Sequence, residues 1–269
     1  MRILVTGGTG SVGSTVIKHI LNTYEFVEIV CFSRDELKQF EMQTEINDQR
    51  LWFAIGDVRD QESVFRAAKD CDWIIHTAAL KHVATGENYP FEVVKTNIIG
   101  TKNVADAAER YGAKMVLVST DKAVEPVNLY GATKMIAEYY VLHLGLSVVR
   151  FGNIFGSRGS VLHKFKEWCE TGHTFRITDK RMTRFIITKE QAAKFIIESL
   201  CKGPGIYIPD LKAMRIVDLA YAFDQNAIIE EMGIMKGEKY HESLEPGRNS
   251  ADAEMLTIDD IRGLIDETL

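Results

Sequence analysis

Thr6-Gly7-Gly8-Thr9-Gly10-Ser11-Val12-Gly13 follows the apolar run Ile3-Leu4-Val5 and opens a segment in which Val12, Val16, Ile17 and Ile20 recur at helical spacing. Strand, glycine-rich turn and helix in that order make a phosphate cradle. Gly7 permits the tight turn, Gly10 lets backbone approach a pyrophosphate, and Gly13 allows close helix packing, with the helix N-terminus facing the anion. A plain glycine-rich turn is the bland alternative. The position at the head of a strand–helix series favours a dinucleotide site, lined by Gly7, Thr9, Gly10, Ser11, Val12 and Gly13.

Further short runs lie at Ile29 to Phe32, Leu51 to Ile55, Trp73 to Ile75, Met115 to Val118 and Val148-Val149. Runs apolar on both faces are the mark of buried parallel strands, and helical patterns fall between them. The expected fold class is therefore α/β, a doubly wound parallel sheet of the Rossmann kind. Thr188 stands three residues before Gln191, a capping box that opens a helix reaching about Leu200. Residues 1–150 with 186–201 are expected to form the dinucleotide-binding domain, and 151–185 with 202–269 a smaller lobe over the carboxyl edge of the sheet.

The 269 residues are 46% hydrophobic and 26% charged, which excludes disordered and collagen-like classes. A net charge of −6 lacks the footprint of a nucleic-acid binder. No run approaches the ~20 apolar residues of a membrane span and no signal-peptide pattern opens the chain, so a cytoplasmic protein without membrane or nucleic-acid partners is expected. Cys31, Cys71, Cys169 and Cys201 show no CxxC spacing, and neither disulfides nor a metal site is expected. Cys31, Cys71 and Trp73 are assigned to the core; His82, His163 and His173 to structure or solvent.

About twenty residues past Gly13, where a carboxylate meets the ribose of NAD, the second strand ends at Ser33-Arg34-Asp35. Ser33 and Arg34 arrive first and Lys38 follows one turn later, which favours the 2′-phosphate of NADP, with Asp35 as the opposing signal. Asp57-Val58 lies either beside the adenine or in a solvated loop.

Tyr130-Gly131-Ala132-Thr133-Lys134 puts a phenol and an ammonium one turn apart on a helix, where the lysine can lower the phenol's pKa and make it a base. Alone, such a pair is weak evidence. It follows Ser119-Thr120-Asp121-Lys122 at the carboxyl end of a strand, where sites in such sheets form. Thr120 can hold a substrate oxygen; Asp121 and Lys122 are an unusual addition whose bland reading is a solvated ion pair.

At these residues the sequence resembles the extended short-chain dehydrogenase/reductases, and within them the inverting, 5-epimerising UDP-N-acetylglucosamine 4,6-dehydratases. The blocks that carry the resemblance are TGGTGSVG, SRDELKQ, GDVRD, AALKHV, STDKAVEPVNLYGATK, RFGNIFGSRGSV, ITDKRMTRF and GEKYHESL, in order from residue 6 to residue 244. Past Leu244 the chain goes quickly to a final helix near Thr257, so by comparison with the family the C-terminal lobe looks abbreviated.

The resemblance implies that Tyr130, assisted by Lys134, takes the proton of the sugar 4-hydroxyl while hydride leaves carbon 4 for the nicotinamide. Lys122 then removes the hydrogen on carbon 5, Asp121 protonates the departing 6-hydroxyl, and hydride returns to carbon 6. A lysine base needs a depressed pKa, and Lys81 is the candidate second cation or a cofactor contact. Thr77, Ala78 and Ile154 join the implied cofactor set. Asn153, Ser157, Arg158, Met182, Arg184, Glu238 and His241 join Lys81 and Thr120 in the implied set for a UDP-sugar, and a homo-oligomer is expected. Competing readings are a retaining 4,6-dehydratase, a 4-epimerase, and a catalytically silent NADP-binding regulator. Lys122 in place of a glutamate speaks against the first, the Asp121–Lys122 pair against the second, and the presence together of Thr120, Asp121, Lys122, Tyr130 and Lys134 against the third.

Overall fold

A computed structural model describes residues 1–269, apart from the Thr85 side chain. Its strands are β1 (Arg2–Thr6), β2 (Glu28–Ser33), β3 (Leu51–Ile55), β4 (Trp73–His76), β5 (Lys114–Val118), β6 (Ser147–Val149), β7 (Asn153–Ile154), β8 (Phe175–Ile177), β9 (Thr183–Ile187), β10 (Gly205–Tyr207), β11 (Ala213–Arg215), β12 (Ile229–Glu231), β13 (Ser243–Glu245) and β14 (Arg248–Asn249). The helices are α1 (Ser11–Thr23), α2 (Glu36–Ile46), α3 (Gln61–Ala68), α4 (Val83–Asn88), α5 (Pro90–Val94), α6 (Gly100–Tyr111), α7 (Leu129–His143), α8 (Val161–Thr171), α9 (Lys189–Leu200), α10 (Ile216–Phe223) and α11 (Ile258–Thr268).

Seven strands form one parallel sheet in the order β10-β6-β5-β4-β1-β2-β3. After β1 the chain builds outward through β2 and β3, then returns to the other side of β1 for β4. That reversal opens a crevice at the carboxyl ends of β1 and β4, the place where such sheets bind ligands. Successive residues of β1 enter opposite cores: Ile3 and Val5 pack with α1, α2 and α9, and Leu4 with α3, α6 and α7. Both faces of the central strands β1, β2, β4, β5 and β6 are largely buried, which is why their runs read as continuously apolar, whereas the edge strand β3 leaves Trp52 and Ile55 exposed.

The remaining elements make the smaller lobe, with a three-stranded sheet β11-β9-β7, a β12-β8 pair and a β13-β14 hairpin. Its core joins Phe165, Phe175, Leu219 and Ile261 from α8, β8, α10 and α11. One boundary differs from the sequence division. Gly205–Tyr207, grouped there with the lobe, pairs in parallel with Ser147–Val149 as the edge strand of the main sheet. A run of three residues has no periodicity of its own, and its partner decides where it belongs.

The Thr188–Gln191 capping box is present, with both reciprocal bonds made. Cys31 and Cys71 are buried, Trp73 is half-buried, and Cys169 and Cys201 are exposed. Among the described residues no helix is long and apolar enough to cross a membrane.

Candidate active site

The turn after β1 is built as the glycines require. Gly7 has φ +68°, and a Cβ there would lie 2.8 Å from the backbone of Ala78; a Cβ on Gly13 would run into the Gly7 carbonyl. Thr77 donates its hydroxyl to the Thr6 carbonyl at 2.8 Å, tying the end of β4 to the turn. Gly10 caps α1 with no side chain over the helix end, so the leading N–H groups of α1 remain available to an anion. A dinucleotide diphosphate fits this cradle.

At the far end, Asp35 is taken up as the N-cap of α2: it accepts from the Lys38 amide at 3.1 Å and pairs with the Lys38 ammonium at 2.5 Å. Ser33 accepts from the buried Gln39 amide at 2.9 Å. Asp57 lies over Arg59 and 3.6 Å from the half-exposed Arg34 guanidinium. Burial works against its charge, but the Arg59 bonds and both guanidinium charges hold its carboxyl below the usual range. Val58 is buried against Gly100. Arg34 follows the end of β2 and Lys38 lies on the first turn of α2, each beside a carboxylate, Asp57 and Asp35 respectively.

The reaction-centre residues converge at the end of β5. The 3-10 turn Asp121–Ala123 is capped by Thr120, whose hydroxyl donates to Asp121 Oδ1 at 2.9 Å. Asn128 caps α7 through the Gly131 amide at 2.8 Å, setting Tyr130 and Lys134 on its first two turns. Lys134 is almost wholly buried and donates to the Val118 carbonyl at 2.6 Å. Burial lowers its pKa to about 8, with Glu138 opposing.

Two electrostatic expectations are corrected. Burial pushes the Tyr130 phenol up to about 12, and the groups that work against burial are the Lys122 charge and the Thr120 hydroxyl. The Lys134 ammonium is spent on Val118 instead. Burial also presses Lys122 down, yet the charges of Asp121 and Glu242 overcome both burial and Arg184, so its pKa ends raised. Lys122 Nζ lies 3.0 Å from Asp121 Oδ1, 3.4 Å from Glu242 Oε1 and 3.3 Å from Asn153 Oδ1. The second cation acting on it is Arg184, not Lys81.

Lys81 donates to the Arg158 carbonyl at 3.1 Å and lies 3.4 Å from the Ser157 hydroxyl; burial and the Arg158 charge lower its pKa. Arg158 itself reaches the glycine turn, with its amide on Ser11 Oγ at 3.1 Å and Nη2 on the Thr9 carbonyl at 2.9 Å. The segment grouped with the sugar nucleotide therefore leans over the dinucleotide cradle, where Ile154 and Ser157 are also carried by β7 and the turn after it. Arg184 is buried and donates to the Thr183, Lys239 and Tyr240 carbonyls, with no carboxylate within salt-bridge distance among the described residues. His241 shares a hydrogen bond with Thr183 at 2.8 Å, Glu238 keeps one buried oxygen without a partner among the described residues, and Met182 is buried.

Three supporting residues escaped the sequence reading. Asn97, in a π-helical turn (Lys95–Ile99) between α5 and α6, clasps both the amide and the carbonyl of Leu80 at 2.8 and 3.0 Å and donates to Thr133 on α7. Glu138 is buried between Ser119 and Arg150, the latter at 2.5 Å. Glu242 approaches Lys122 from the other lobe. A polar residue inside an apolar helical pattern, Asn97 before Ile98, is the one local signal among these.

Residues 3–259 match the family described as polysaccharide biosynthesis protein. The chain belongs to this family. As a polysaccharide biosynthesis protein it is similar to UDP-N-acetylglucosamine 4,6-dehydratase (inverting) of Campylobacter jejuni, with 45% identity over 254 residues that cover 90% of this chain and 76% of that one. It is also similar to UDP-glucose 4-epimerase of Rickettsia canadensis, 37% identical over 94% of this chain and 80% of the relative. Among solved structures, Pen from Bacillus thuringiensis has a TM-score of 0.92 at 31% identity, covering 99% of this chain and 97% of its own. DesIV, a dTDP-glucose 4,6-dehydratase from Streptomyces venezuelae, shares the fold at TM-score 0.82 and 20% identity. The fold and the family are those that the extended short-chain dehydrogenase/reductase motifs imply.

Proposed function

We propose that this polysaccharide biosynthesis protein is an NADP-dependent nucleotide-sugar dehydratase that converts UDP-N-acetylglucosamine to its 4-keto-6-deoxy derivative with inversion at carbon 5. The observation that carries the reading is the Asp121–Lys122 pair at the end of β5, in one site with Thr120, Tyr130 and Lys134. The 45% identity to an inverting dehydratase supports it. When bound, the dinucleotide supplies acceptance of hydride from carbon 4 and its return at carbon 6.

In this reading Thr120 holds the 4-oxygen and Tyr130 takes its proton, with the Lys122 charge and the Thr120 hydroxyl favouring the phenolate. Oxidation at carbon 4 acidifies the hydrogen on carbon 5. In the reactive form of the pair the shared proton sits on Asp121 and Lys122 is neutral. Lys122 then takes the carbon 5 proton, and Asp121 gives its proton to the 6-hydroxyl, which leaves as water. A solvent-derived proton reaches carbon 5 on the opposite face. Arg34 and Lys38 bind the 2′-phosphate, since Asp35 is occupied as a helix cap. Arg184, a buried cation without a carboxylate, meets the substrate diphosphate.

UDP-glucose 4-epimerase is the second reading, favoured by the 37% relative. An epimerase needs Tyr130 and Lys134 but neither Asp121 nor Lys122. The deciding experiment is incubation with UDP-N-acetylglucosamine in heavy water, with NMR of the product. A 4-keto-6-deoxy sugar of L-arabino configuration with one solvent deuterium at carbon 5 is expected. A D-xylo product refutes inversion, and a 4-epimer with intact carbon 6 refutes dehydration. Mass spectrometry of nucleotide released by denaturation is expected to find NADP; NAD alone refutes the cofactor assignment.

A further inference from the structure

Lys122 belongs to the main sheet's edge of the cleft, yet one of its two carboxylate partners does not. Glu242 comes from the segment preceding β13 in the other lobe and brings Oε1 to 3.4 Å from Lys122 Nζ. It is buried, 3% exposed, and its backbone is fixed from both sides by Ser250: its amide donates to Ser250 Oγ at 3.0 Å and its carbonyl accepts from the Ser250 amide at 2.8 Å. Ser250 in turn bonds the Thr183 hydroxyl at 2.7 Å. A carboxylate held this firmly is aimed.

Charged groups face Lys122 from every element packed on it. Asp121 lies beside it on the 3-10 turn, Tyr130 on α7, Arg184 on β9, and Glu242 on the crossing segment, where Lys239 stands 3.8 Å from Glu242 Oε2 and is itself anchored to the Val124 carbonyl at 2.7 Å. Asp121 Oδ2 and Glu242 Oε2 are both buried, and among the described residues neither has a hydrogen-bond partner. Two carboxylates with unmet acceptor capacity therefore flank one ammonium, a costly arrangement for a group with no further role.

We propose that Glu242 is a positioning residue for Lys122, which holds the ammonium in the cleft and sets the pH above which Lys122 is free to act as a base. The proposal rests on the reading of Lys122 as the base at carbon 5. A neighbouring negative charge stabilises the ammonium, so at a given pH below the lysine's pKa the neutral, proton-accepting fraction is smaller, tenfold for each unit by which that pKa is raised. The raised pKa of Lys122 agrees in direction. Glu242 thus restrains the base and aims it at a substrate entering between the lobes.

The test is the pH profile of solvent-deuterium incorporation at carbon 5, with UDP-N-acetylglucosamine as the probe, in wild type, Glu242→Gln, Glu242→Asp and Lys122→Ala. In Glu242→Gln the acid limb is expected to move to lower pH by about one to three units. Glu242→Asp keeps the charge at a longer distance, so its limb is expected between the two. The Ser250 bonds use only the Glu242 backbone and survive both changes. If Glu242→Gln does not fold, the Glu242→Asp shift alone carries the decision. An acid limb that stays in place in the Glu242 variants, while Lys122→Ala abolishes exchange, overturns the positioning role and leaves Lys122 as the base. Full exchange in Lys122→Ala removes the base assignment and this proposal with it.

Discussion

Gly131 runs directly beneath Lys122: the space that a Cβ on Gly131 would need is filled by the Lys122 carbonyl oxygen. Tyr130 and Lys122, eight residues apart by number, are thereby locked at one distance through bare backbone. Gly131→Ala forces one of them to shift, at a cost of about 1–3 kcal/mol from overpacking. Turnover is expected to fall on the order of 100-fold, as for a catalytic group displaced by about an ångström, while nucleotide remains bound. Steady-state kinetics with a nucleotide assay check this; wild-type turnover would show that the contact relaxes elsewhere.

Tyr130→Phe is expected to lose the transient absorbance of reduced nicotinamide at ~340 nm on mixing with substrate and to cut turnover by a factor on the order of 100, the scale of losing a general base. Lys122→Ala is expected to retain that absorbance and fail to release water. Stopped-flow traces of the two variants separate oxidation from elimination, and the opposite pattern would exchange the two roles.

His76 closes β4 between the Thr6 and Thr101 hydroxyls, at 2.6 and 3.0 Å, and is wholly buried. Burial, with the Lys134 charge, lowers its pKa from 6.5 to about 3. Between those values the unfolded chain binds a proton that the folded chain refuses, so stability falls as the pH drops below 6.5. From pH 7 to pH 5 the expected loss from this residue is about 2 kcal/mol. Urea titrations at the two pH values measure it, and His76→Gln is expected to flatten the difference.

Arg158 joins the turn after β7 to Thr9 and Ser11 at the cradle. Arg158→Ala is expected to release nucleotide during gel filtration while leaving the affinity for UDP within about twofold. Retained nucleotide with weakened UDP binding would return Arg158 to the substrate site that its sequence block implies.

What could be read in advance follows from how local each constraint is. The cradle was legible because Gly7, Gly10 and Gly13 answer to contacts within a single turn, and the central strands β1, β2, β4, β5 and β6 because burial on both faces leaves an unbroken apolar run. Asp121, Lys122 and Tyr130 fall within ten residues, so their block could be recognised whole. Glu242 sits inside a block that was also recognised, but its partner lies 120 positions away, and no spacing rule connects them. Tyr130 and Lys134 share a helix face, yet the strand carbonyl of Val118 accepts the lysine's hydrogen bond, a competition that only the packed sheet reveals.

The path of the chain between the two sheets has a further consequence. The backbone leaves the main sheet after Val149, returns for α9 and β10, and leaves again after Tyr207. Neither lobe is a continuous stretch of sequence, so neither can be excised as a working fragment, and β10 cannot dock until β6 and α9 are in place. Heating is accordingly expected to melt both lobes in one calorimetric transition, and a single nick in the crossing near 208 releases the edge strand's tether to the cap over the cleft, so that limited proteolysis silences the protein before it unfolds it.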